Sequence, residues 1–285
     1  MSDERDRFAD LSKVRMCYRD EGDPAGEPLL LIMGLNSQLI HWPQEIVDNL
    51  GARGYRVIRP DNRDSGLTEW KGAPSSYFLQ AIANDAVELL DHLEIEQAHV
   101  VGASMGGMVA QLIAIQKAPR VRSLCSIMST PHSSIGAPDG DVIEEMTKPL
   151  PSDRDEAIEQ IVALYALIGS KTYAESERQR RYDIAALAYD RARGRHPQGP
   201  IRQMSAALMA PDRTKDLQKL EVPALVIHGA EDSLIKIAGG EATHAAISGS
   251  TYLPLAPMGH DLPAPLLDEI ATAIAANAAR RPAIV

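Results

Sequence analysis

Ser104 is the residue of this sequence best placed to act as a nucleophile. It lies in residues 102–106, Gly-Ala-Ser-Met-Gly, which fit the pattern G-x-S-x-G between a strand-like apolar run and a helix-forming segment. Glycines suit a sharp strand-to-helix turn, because side chains would collide in so tight a bend. The N–H of Met105 would then lie at a helix N-terminus and stabilise negative charge. The pattern favours a nucleophile over a phosphate-binding turn, which would need a P-loop lysine or G-x-G-x-x-G.

A serine hydroxyl needs a base to take its proton, and in this arrangement an acid and then the base should follow later in the chain. His260 meets this requirement, since it follows the strand-like run 251–255 and should lie in a loop at the carboxyl end of that strand. Asp232 lies just past another apolar run, 224–228, and is the predicted acid, with Glu231 beside it as the alternative. We therefore expect these side chains to converge on the serine.

A tetrahedral oxyanion usually needs two hydrogen-bond donors, so a second one is expected near the serine. Leu35 is the predicted donor through its N–H, because Gly34 and Leu35 end the first buried strand at the same edge of the sheet. Asn36 could add a side-chain donor or simply satisfy its own loop. Asn36, His132 and Leu234 are the predicted substrate-binding residues.

The other histidines have simpler explanations. His41 and His132 could line a pocket, and His228, which ends a strand, is predicted to be buried and hydrogen-bonded. The remaining ones lie near element ends or in polar surface segments: His92, His99, His196 and His244.

The order of apolar and helical patterns indicates the fold class. Strand-like runs alternate with helical patterns over residues 29–129 and 223–280, which predicts an α/β fold with a mostly parallel central sheet flanked by helices. Residues 132–215 break this alternation and are polar and helical, so we predict a helical cap inserted in the core. The core would comprise residues 1–131 and 216–285.

Three local predictions depend on composition and periodicity. The turn formers of residues 21–28 predict a hairpin connection, and apolar residues at helical spacing predict a helix over residues 77–93. The predicted cap is rich in arginine, and charged helices usually present such residues to solvent. The cap arginines are Arg180, Arg181, Arg191, Arg193 and Arg195.

The bulk composition is that of a globular protein. The 285 residues, 45% of them apolar, are enough for one large domain with an insertion. A net charge of −10 argues against a nucleic-acid partner, and no apolar stretch is long enough to span a bilayer. Cys17 and Cys125 are predicted to be buried thiols, and the charged N-terminus lacks an apolar signal region, so we expect a cytoplasmic protein. The oligomeric state stays open.

These motifs together resemble the α/β-hydrolase fold family over about residues 14–280. The matching segments are residues 30–35, 61–66, 102–106 and 228–232 and the loop of His260. Within the family, the sequence is similar to the bacterial serine-esterase branch that includes aclacinomycin methylesterase. That similarity lies in residues 33–36, 42–43, 57–66 and 257–260.

The resemblance implies a catalytic triad of Ser104, Asp232 and His260, with oxyanion donors at Leu35 and Met105. It also implies no cofactor or metal, and a small-molecule ester as the partner rather than a nucleic acid or a membrane. The His-Gly pair that is common before the oxyanion loop is Met-Gly here, as it is in this branch.

The predicted reaction is hydrolysis of a small or medium carboxylic ester through an acyl-enzyme on Ser104. Three alternatives stay open: hydrolysis of a C–C bond in a diketone or ring-cleavage product, cofactor-free perhydrolysis or acyl transfer, and a receptor that binds its ligand without turnover. A C–C hydrolase would need a cationic group for its substrate carboxylate, and the cap arginines are the candidates. The natural ester depends on the cap, which shapes the pocket.

Overall fold

A central sheet of nine strands organises the computed structural model, which describes residues 3–280. In chain order the strands are β1 (Arg7–Asp10), β2 (Val14–Gly22), β3 (Glu27–Ile32), β4 (Tyr55–Pro60), β5 (Glu69–Trp70), β6 (Ala98–Ala103), β7 (Val121–Ile127), β8 (Ala224–Gly229) and β9 (Thr251–Leu255). Their order across the sheet is β1-β2-β4-β3-β6-β7-β8-β9, with β5 paired to β2. The six strands from β4 to β9 in this order pair in parallel, and β1, β2 and β5 add antiparallel pairs. The predicted mostly parallel sheet is confirmed.

Helices cover both faces of this sheet. In chain order the α-helices of the described residues are α1 (Gln44–Ala52), α2 (Gln80–His92), α3 (Met105–Gln116), α4 (Gly140–Thr147), α5 (Arg154–Ile168), α6 (Arg178–Ala192), α7 (Gly199–Leu208), α8 (Thr214–Leu217), α9 (Ala238–Ala246) and α10 (Leu267–Ala278). Leu29 and Leu31 of β3 pack with α1 and α10, whereas Leu30 and Ile32 pack with α2 and α3. Side chains alternate along a strand, so the apolar run of β3 fills both cores.

The register of the parallel strands brings their carboxyl ends to one edge. Ile32 of β3 pairs with Gly102 of β6, and Ala103 at the end of β6 pairs with Ile127 at the end of β7. Ile127 in turn pairs with Ile227 of β8. The loops that follow these strands therefore start beside one another.

Two local predictions are wrong. The turn after β2 does not close a hairpin, because β2 pairs with β4 and not with β3. β3 is buried between two parallel neighbours, β4 and β6, which leaves no free edge for β2. Helix α2 begins at Gln80 rather than at Tyr77, and Phe78 is 66% exposed. Tyr77 instead packs near Trp70, so the apolar residues that extended the helical pattern serve the preceding loop.

Helices α4 to α8 lie between β7 and β8 in the chain, where the cap is predicted, and we use the word cap for this segment, residues 132–215. The segments predicted there as helices correspond to α5, α6 and α7, whereas α4 and α8 were not predicted. A neck joins the two ends of this insertion: the N–H of Arg213 donates to the Pro131 carbonyl at 3.2 Å, and its guanidinium donates to the Thr130 carbonyl at 2.9 Å. Among residues 3–280, none of the helices combines the length and apolarity that crossing a membrane would require. Cys17 and Cys125 are buried and not disulfide-bonded.

Candidate active site

Ser104 lies at the sharp turn between β6 and α3. Its φ of 58° and ψ of −124° form a combination that residues other than glycine seldom adopt. A Cβ on Gly102 would collide with the Gly106 carbonyl, and a Cβ on Gly106 would collide with a carbonyl of β3. The backbone of Ser104 is held from β7, because its N–H donates to the Ile127 carbonyl at 2.9 Å and its carbonyl accepts from the Ser129 hydroxyl at 2.8 Å. Close packing of α3 on the strands therefore requires the two glycines.

The side chains of Ser104, His260 and Asp232 form one chain of hydrogen bonds. The Ser104 Oγ lies 2.8 Å from His260 Nε2, and His260 Nδ1 lies 2.7 Å from Asp232 Oδ2. A carboxylate only accepts hydrogen bonds, so Nδ1 carries the proton and Nε2 is left to accept the serine proton. The structure brings the three predicted residues together in the arrangement that a serine nucleophile and its base require.

The Asp232 carboxylate is buried and fully engaged. Its Oδ1 accepts from the N–H groups of Leu234 and Ile235, each at 2.9 Å, and its Oδ2 accepts from His260 and lies 3.5 Å from His228 Nε2. Burial alone would raise the pKa of Asp232, but the charge of His260 and the hydrogen bonds of both histidines hold that pKa below its ordinary value. The carboxylate is therefore ionised beside the imidazole at neutral pH.

Glu231, the alternative acid, faces the cap instead. Its carboxylate accepts from the N–H groups of Lys171 and Thr172 at 2.6 and 3.0 Å, and from the Ser170 hydroxyl at 3.2 Å. Among the described residues, it makes no hydrogen bond to His260. The geometry favours Asp232 as the partner of the histidine.

The N–H groups of Leu35 and Met105 flank Ser104. Met105 is the first residue of α3, where an N–H has no partner inside the helix. Within residues 3–280, neither of these two N–H groups makes a hydrogen bond. A Cβ on Gly34 would lie 2.9 Å from the Ser104 Cβ, so the loop before Leu35 passes directly beside the serine. Both predicted donors are thus unoccupied next to the nucleophile.

The three predicted substrate-binding residues have other contacts in the structure. The N–H of Asn36 donates to Gln203 of α7 at 2.6 Å, and the N–H of Leu234 shapes the turn of the acid. The His132 ring bonds the Ser134 hydroxyl in its own turn at 2.7 Å. Their roles in substrate binding stay predictions.

Two further histidines lie in the interior. His41 accepts from the Gln38 N–H at 2.9 Å through Nδ1, and its Nε2 meets the Tyr165 hydroxyl of α5 at 3.0 Å. Burial lowers the pKa of His41 to about 4, so its ring is neutral at pH 7. His228 is buried, and its Nε2 donates to the Ile235 carbonyl at 2.7 Å, which confirms the prediction for this residue. In the part of the chain that the structure describes, no three His, Cys, Asp or Glu side chains are grouped to hold a metal ion.

A second serine–histidine–carboxylate chain lies towards the amino ends of the parallel strands. The Ser123 hydroxyl of β7 lies 2.8 Å from His99 Nδ1, and His99 Nε2 lies 3.1 Å from Glu27 Oε2. Arg122 binds the other oxygen of Glu27 at 2.9 Å. Ser123 and His99 are buried, whereas the Glu27 side chain is 46% exposed. We refer to these three residues as the amino-edge chain.

The prediction that the cap arginines face solvent is wrong for Arg181 and Arg191, which are both buried. Arg191 of α6 binds Asp61 at 2.7 Å, and Arg181 of the same helix binds Asp261, the neighbour of His260, at 2.8 Å. Their carboxylate partners belong to core loops far away in the chain. The pattern of one helix does not reveal such partners.

Sequence reasoning also missed the residues that support the site. The Asn62 side chain donates to the Met33 carbonyl at 2.8 Å, just before the Leu35 loop. The His260 N–H donates to the Ile168 carbonyl at the end of α5 at 2.8 Å, so the cap contacts the histidine loop directly. Asn62 lies in residues 61–66, one of the segments that resemble the α/β-hydrolase family. The resemblance marked this segment as functionally relevant but did not predict its contact with Met33.

The fold and the site together define a class of protein. The chain belongs to the α/β-hydrolase fold family, whose model matches residues 27–263. It is similar to rhodomycin D methylesterase DauP of Streptomyces sp. (strain C5), at 29% identity over 93% of this chain and 97% of that protein. The predicted family is confirmed. The similarity to this methylesterase agrees with the predicted resemblance to that branch and supports a hydrolase.

Solved structures resemble the chain over nearly its whole length. An enol-lactonase from Burkholderia xenovorans LB400 superposes with a TM-score of 0.80 at 24% identity, covering 95% of this chain and 99% of that one. The meta-cleavage product hydrolase CumD from Pseudomonas fluorescens IP01 gives 0.77 at 20% identity, covering 96% and 97%. At these identities the likeness concerns the fold.

Proposed function

We propose that this protein is a serine hydrolase of carboxylic esters that works through an acyl-enzyme on Ser104. The observation that carries the proposal is the hydrogen-bonded chain from the Ser104 hydroxyl through His260 to Asp232, at 2.8 and 2.7 Å. The serine is on a turn that presents it beside two unoccupied N–H groups. Together these features supply a nucleophile, its base and an oxyanion site.

In the first half of the reaction, the Ser104 oxygen attacks the ester carbonyl while His260 Nε2 takes the serine proton. The N–H groups of Leu35 and Met105 bind the oxyanion. The proton on His260 then passes to the leaving alcohol, and the acyl group stays on Ser104. Asp232 stabilises the charged imidazole and holds Nδ1 towards itself throughout.

In the second half, water attacks the acyl-enzyme with His260 again as the base. The tetrahedral intermediate collapses, the carboxylic acid leaves, and the proton returns to Ser104. The oxyanion site contributes in both halves, since each passes through a tetrahedral intermediate.

For the substrate, we propose a methyl or other small-alcohol ester of a medium or bulky acid. The support is the similarity to a rhodomycin D methylesterase over nearly the whole of both chains. The identity of the acid would depend on residues of α4 to α8, and contacts of α5 and α7 with the loops of His260 and Leu35 support this.

Contacts of four of the five cap arginines favour an ester over a ring-cleavage product. A C–C hydrolase of this fold needs a cation for the substrate carboxylate. Arg181 and Arg191 already form ion pairs with Asp261 and Asp61, so these two cations are not free to bind a substrate carboxylate. Arg180 and Arg195 also pair with carboxylates, Glu177 at 3.4 Å and Glu69 at 2.8 Å.

A fluorophosphonate probe tests the nucleophile directly. The wild-type protein should be labelled once, at Ser104 by peptide mass mapping, and should hydrolyse short p-nitrophenyl esters. Ser104→Ala should lose both properties while keeping its melting temperature. Labelling elsewhere, or ester turnover unchanged in Ser104→Ala, would exclude the proposal.

Parallel assays separate the alternatives. Turnover of a carboxylated ring-cleavage product in preference to every ester would favour the C–C reaction. Product formation that depends on added peroxide or alcohol would favour perhydrolysis or acyl transfer. Labelling of Ser104 without turnover of any of these would favour a receptor.

A further inference from the structure

Three of the hydrogen bonds that hold the loop of the Leu35 N–H from outside come from Asn62, Asp61 and Gln203. Asn62 binds the Met33 carbonyl before the loop, and Asp61 accepts from the Leu39 N–H after it at 2.7 Å. Between them, the N–H of Asn36 donates to the side chain of Gln203 at 2.6 Å. The first two supports belong to residues 61–66 of the core, and the third belongs to helix α7 of the cap.

Gln203 is built for this contact. It is completely buried, and its amide is fully used: Oε1 accepts from Asn36, while Nε2 donates to the Arg63 carbonyl at 2.8 Å and to the Ser65 hydroxyl at 3.0 Å. A carbonyl oxygen can only accept and an N–H can only donate, so these partners allow one orientation of the amide. Gln203 therefore ties the loop to residues 61–66 through a single rigid group.

The backbone at Asn36 needs such a support. Its φ of 56° lies in the left-handed region, which costs a non-glycine residue free energy unless the surroundings hold it. The Asn36 N–H belongs to the peptide group that follows Leu35, and the Leu35 N–H belongs to the preceding one, beside Ser104. A shift of the Asn36 peptide group changes the torsion angles at Leu35 and so moves the Leu35 N–H. If Gln203 were lost, the Asn36 N–H would lose its protein acceptor, and α7 would no longer hold the loop in its left-handed conformation, so the loop would be expected to shift.

We propose that Gln203 is a positioning residue, supplied by the cap, that aims the Leu35 N–H at the oxyanion. This inference rests on the proposed ester hydrolysis. It predicts that the cap contributes to the transition state and not only to the shape of the pocket. An oxyanion donor that is displaced stabilises the charge less, although the ground-state ester binds as before.

Helix α7 also provides a matched control. The neighbouring Arg202 joins the same helix to Asp64 of the same core loop through two contacts of 2.8 and 2.5 Å. Among residues 3–280, it makes no hydrogen bond to the loop of Leu35. Arg202→Met therefore weakens attachment of the cap, whereas Gln203→Met removes attachment together with the acceptor for Asn36.

The test compares wild type, Gln203→Met and Arg202→Met on a p-nitrophenyl ester, with active sites counted by fluorophosphonate titration. Gln203→Met should lower kcat about tenfold and leave KM within about twofold, because only transition-state stabilisation is lost. Its affinity for a trifluoromethyl ketone, which forms an oxyanion on Ser104, should fall by a similar factor. Arg202→Met should lower the melting temperature and keep kcat.

Three results would overturn the inference. One is a Gln203→Met kcat and ketone affinity equal to those of wild type. Another is an equal loss of kcat in both variants, which would mean that attachment of the cap is what matters. The third is a wild type without ester turnover, which would overturn the proposed function as well. If Gln203→Met does not fold, Gln203→Ala, which introduces no larger side chain, should give the same expected result.

Discussion

Ser104 and Ser123 each begin a serine–histidine–carboxylate chain, at opposite ends of the same strands. In both chains one imidazole nitrogen lies 2.8 Å from the serine oxygen and the other nitrogen meets a carboxylate. His99 is five positions before Ser104 on β6, which corresponds to roughly 16 Å along the strand. The side-chain chemistry of the two regions is alike, so any difference in reactivity must come from their surroundings.

The backbone makes the difference. Ser104 is half-buried at a turn with positive φ and has the unoccupied N–H of Met105 beside it. Ser123 is buried inside β7, where it pairs with His99 of the neighbouring strand. A substrate carbonyl cannot approach a serine inside a buried sheet, and backbone N–H groups of a sheet are used in its ladder. We therefore expect reactivity to follow exposure and free N–H donors, rather than the presence of the three side chains.

The largest expected difference between the two chains is the effect of replacing each serine on catalysis. Ser104→Ala should lower kcat/KM for a p-nitrophenyl ester by about 10⁵- to 10⁶-fold, because the nucleophile is lost. Ser123→Ala should keep kcat/KM within about twofold, since no step passes through the amino-edge chain. Steady-state rates per folded protein decide this, and equal losses in the two variants would show that the chains are not functionally distinct.

The next effect concerns the acids. Asp232→Asn should lower kcat about 10³- to 10⁴-fold, because the imidazole loses its orienting and stabilising charge. Glu27→Gln should keep kcat, and so should Glu231→Gln, whose carboxylate serves the cap. Circular dichroism controls for folding. Full activity of Asp232→Asn together with a loss in Glu231→Gln would move the acid to Glu231.

A smaller effect concerns stability, for which Ser123 should matter more than Ser104. Ser123→Ala removes a buried hydrogen bond and should lower the free energy of unfolding by about 1 kcal/mol. Ser104→Ala should leave stability nearly unchanged, because alanine keeps the same backbone conformation and the lost hydrogen bond of Ser104 is only part-buried. Urea unfolding measures the free energy of unfolding of both variants. A larger loss in Ser104→Ala than in Ser123→Ala would contradict this prediction.

The smallest effect is a pH dependence of stability. A carboxyl with a lowered folded pKa, as Asp232 has, stabilises the fold above its unfolded pKa and loses that contribution as the pH falls through the folded pKa. The gap in melting temperature between wild type and Asp232→Asn should therefore narrow below about pH 4. The gap to Glu27→Gln should change less, because the Glu27 side chain is 46% exposed and its interactions are screened. Melting curves across this range would contradict the idea if the first gap stayed constant.

Sequence reasoning was strongest where a local pattern fixes a local geometry. Gly102 predicts a tight turn because the collision it avoids, with Gly106, is between residues four apart in the chain. Parallel strands then bring the loops of Asp232 and His260 to the same edge without any knowledge of their side-chain contacts.

It was weakest where the partner is distant in the chain. Arg191 is predicted to face solvent from the pattern of its own helix, yet it is buried against Asp61. The contact of Gln203 could not be predicted for the same reason, since nothing near residue 203 indicates that its side-chain oxygen accepts a hydrogen bond from the Asn36 N–H. The hairpin prediction failed for a related reason: the turn residues before β3 indicate a reversal but not which strand lies alongside.

The neck at Thr130, Pro131 and Arg213 has a consequence for evolution and for engineering. The two ends of the segment between β7 and β8 are hydrogen-bonded to each other at this neck. We therefore expect the sheet to tolerate changes in the length of chain between them. Doubling such a loop costs only about 0.6 kcal/mol in closure entropy. Chimeras that exchange this segment should therefore keep the scaffold intact and acquire new substrates. A transplanted segment must bring a buried acceptor for Asn36 and must replace the contacts that Arg181, Arg191 and the Ile168 carbonyl make with the core.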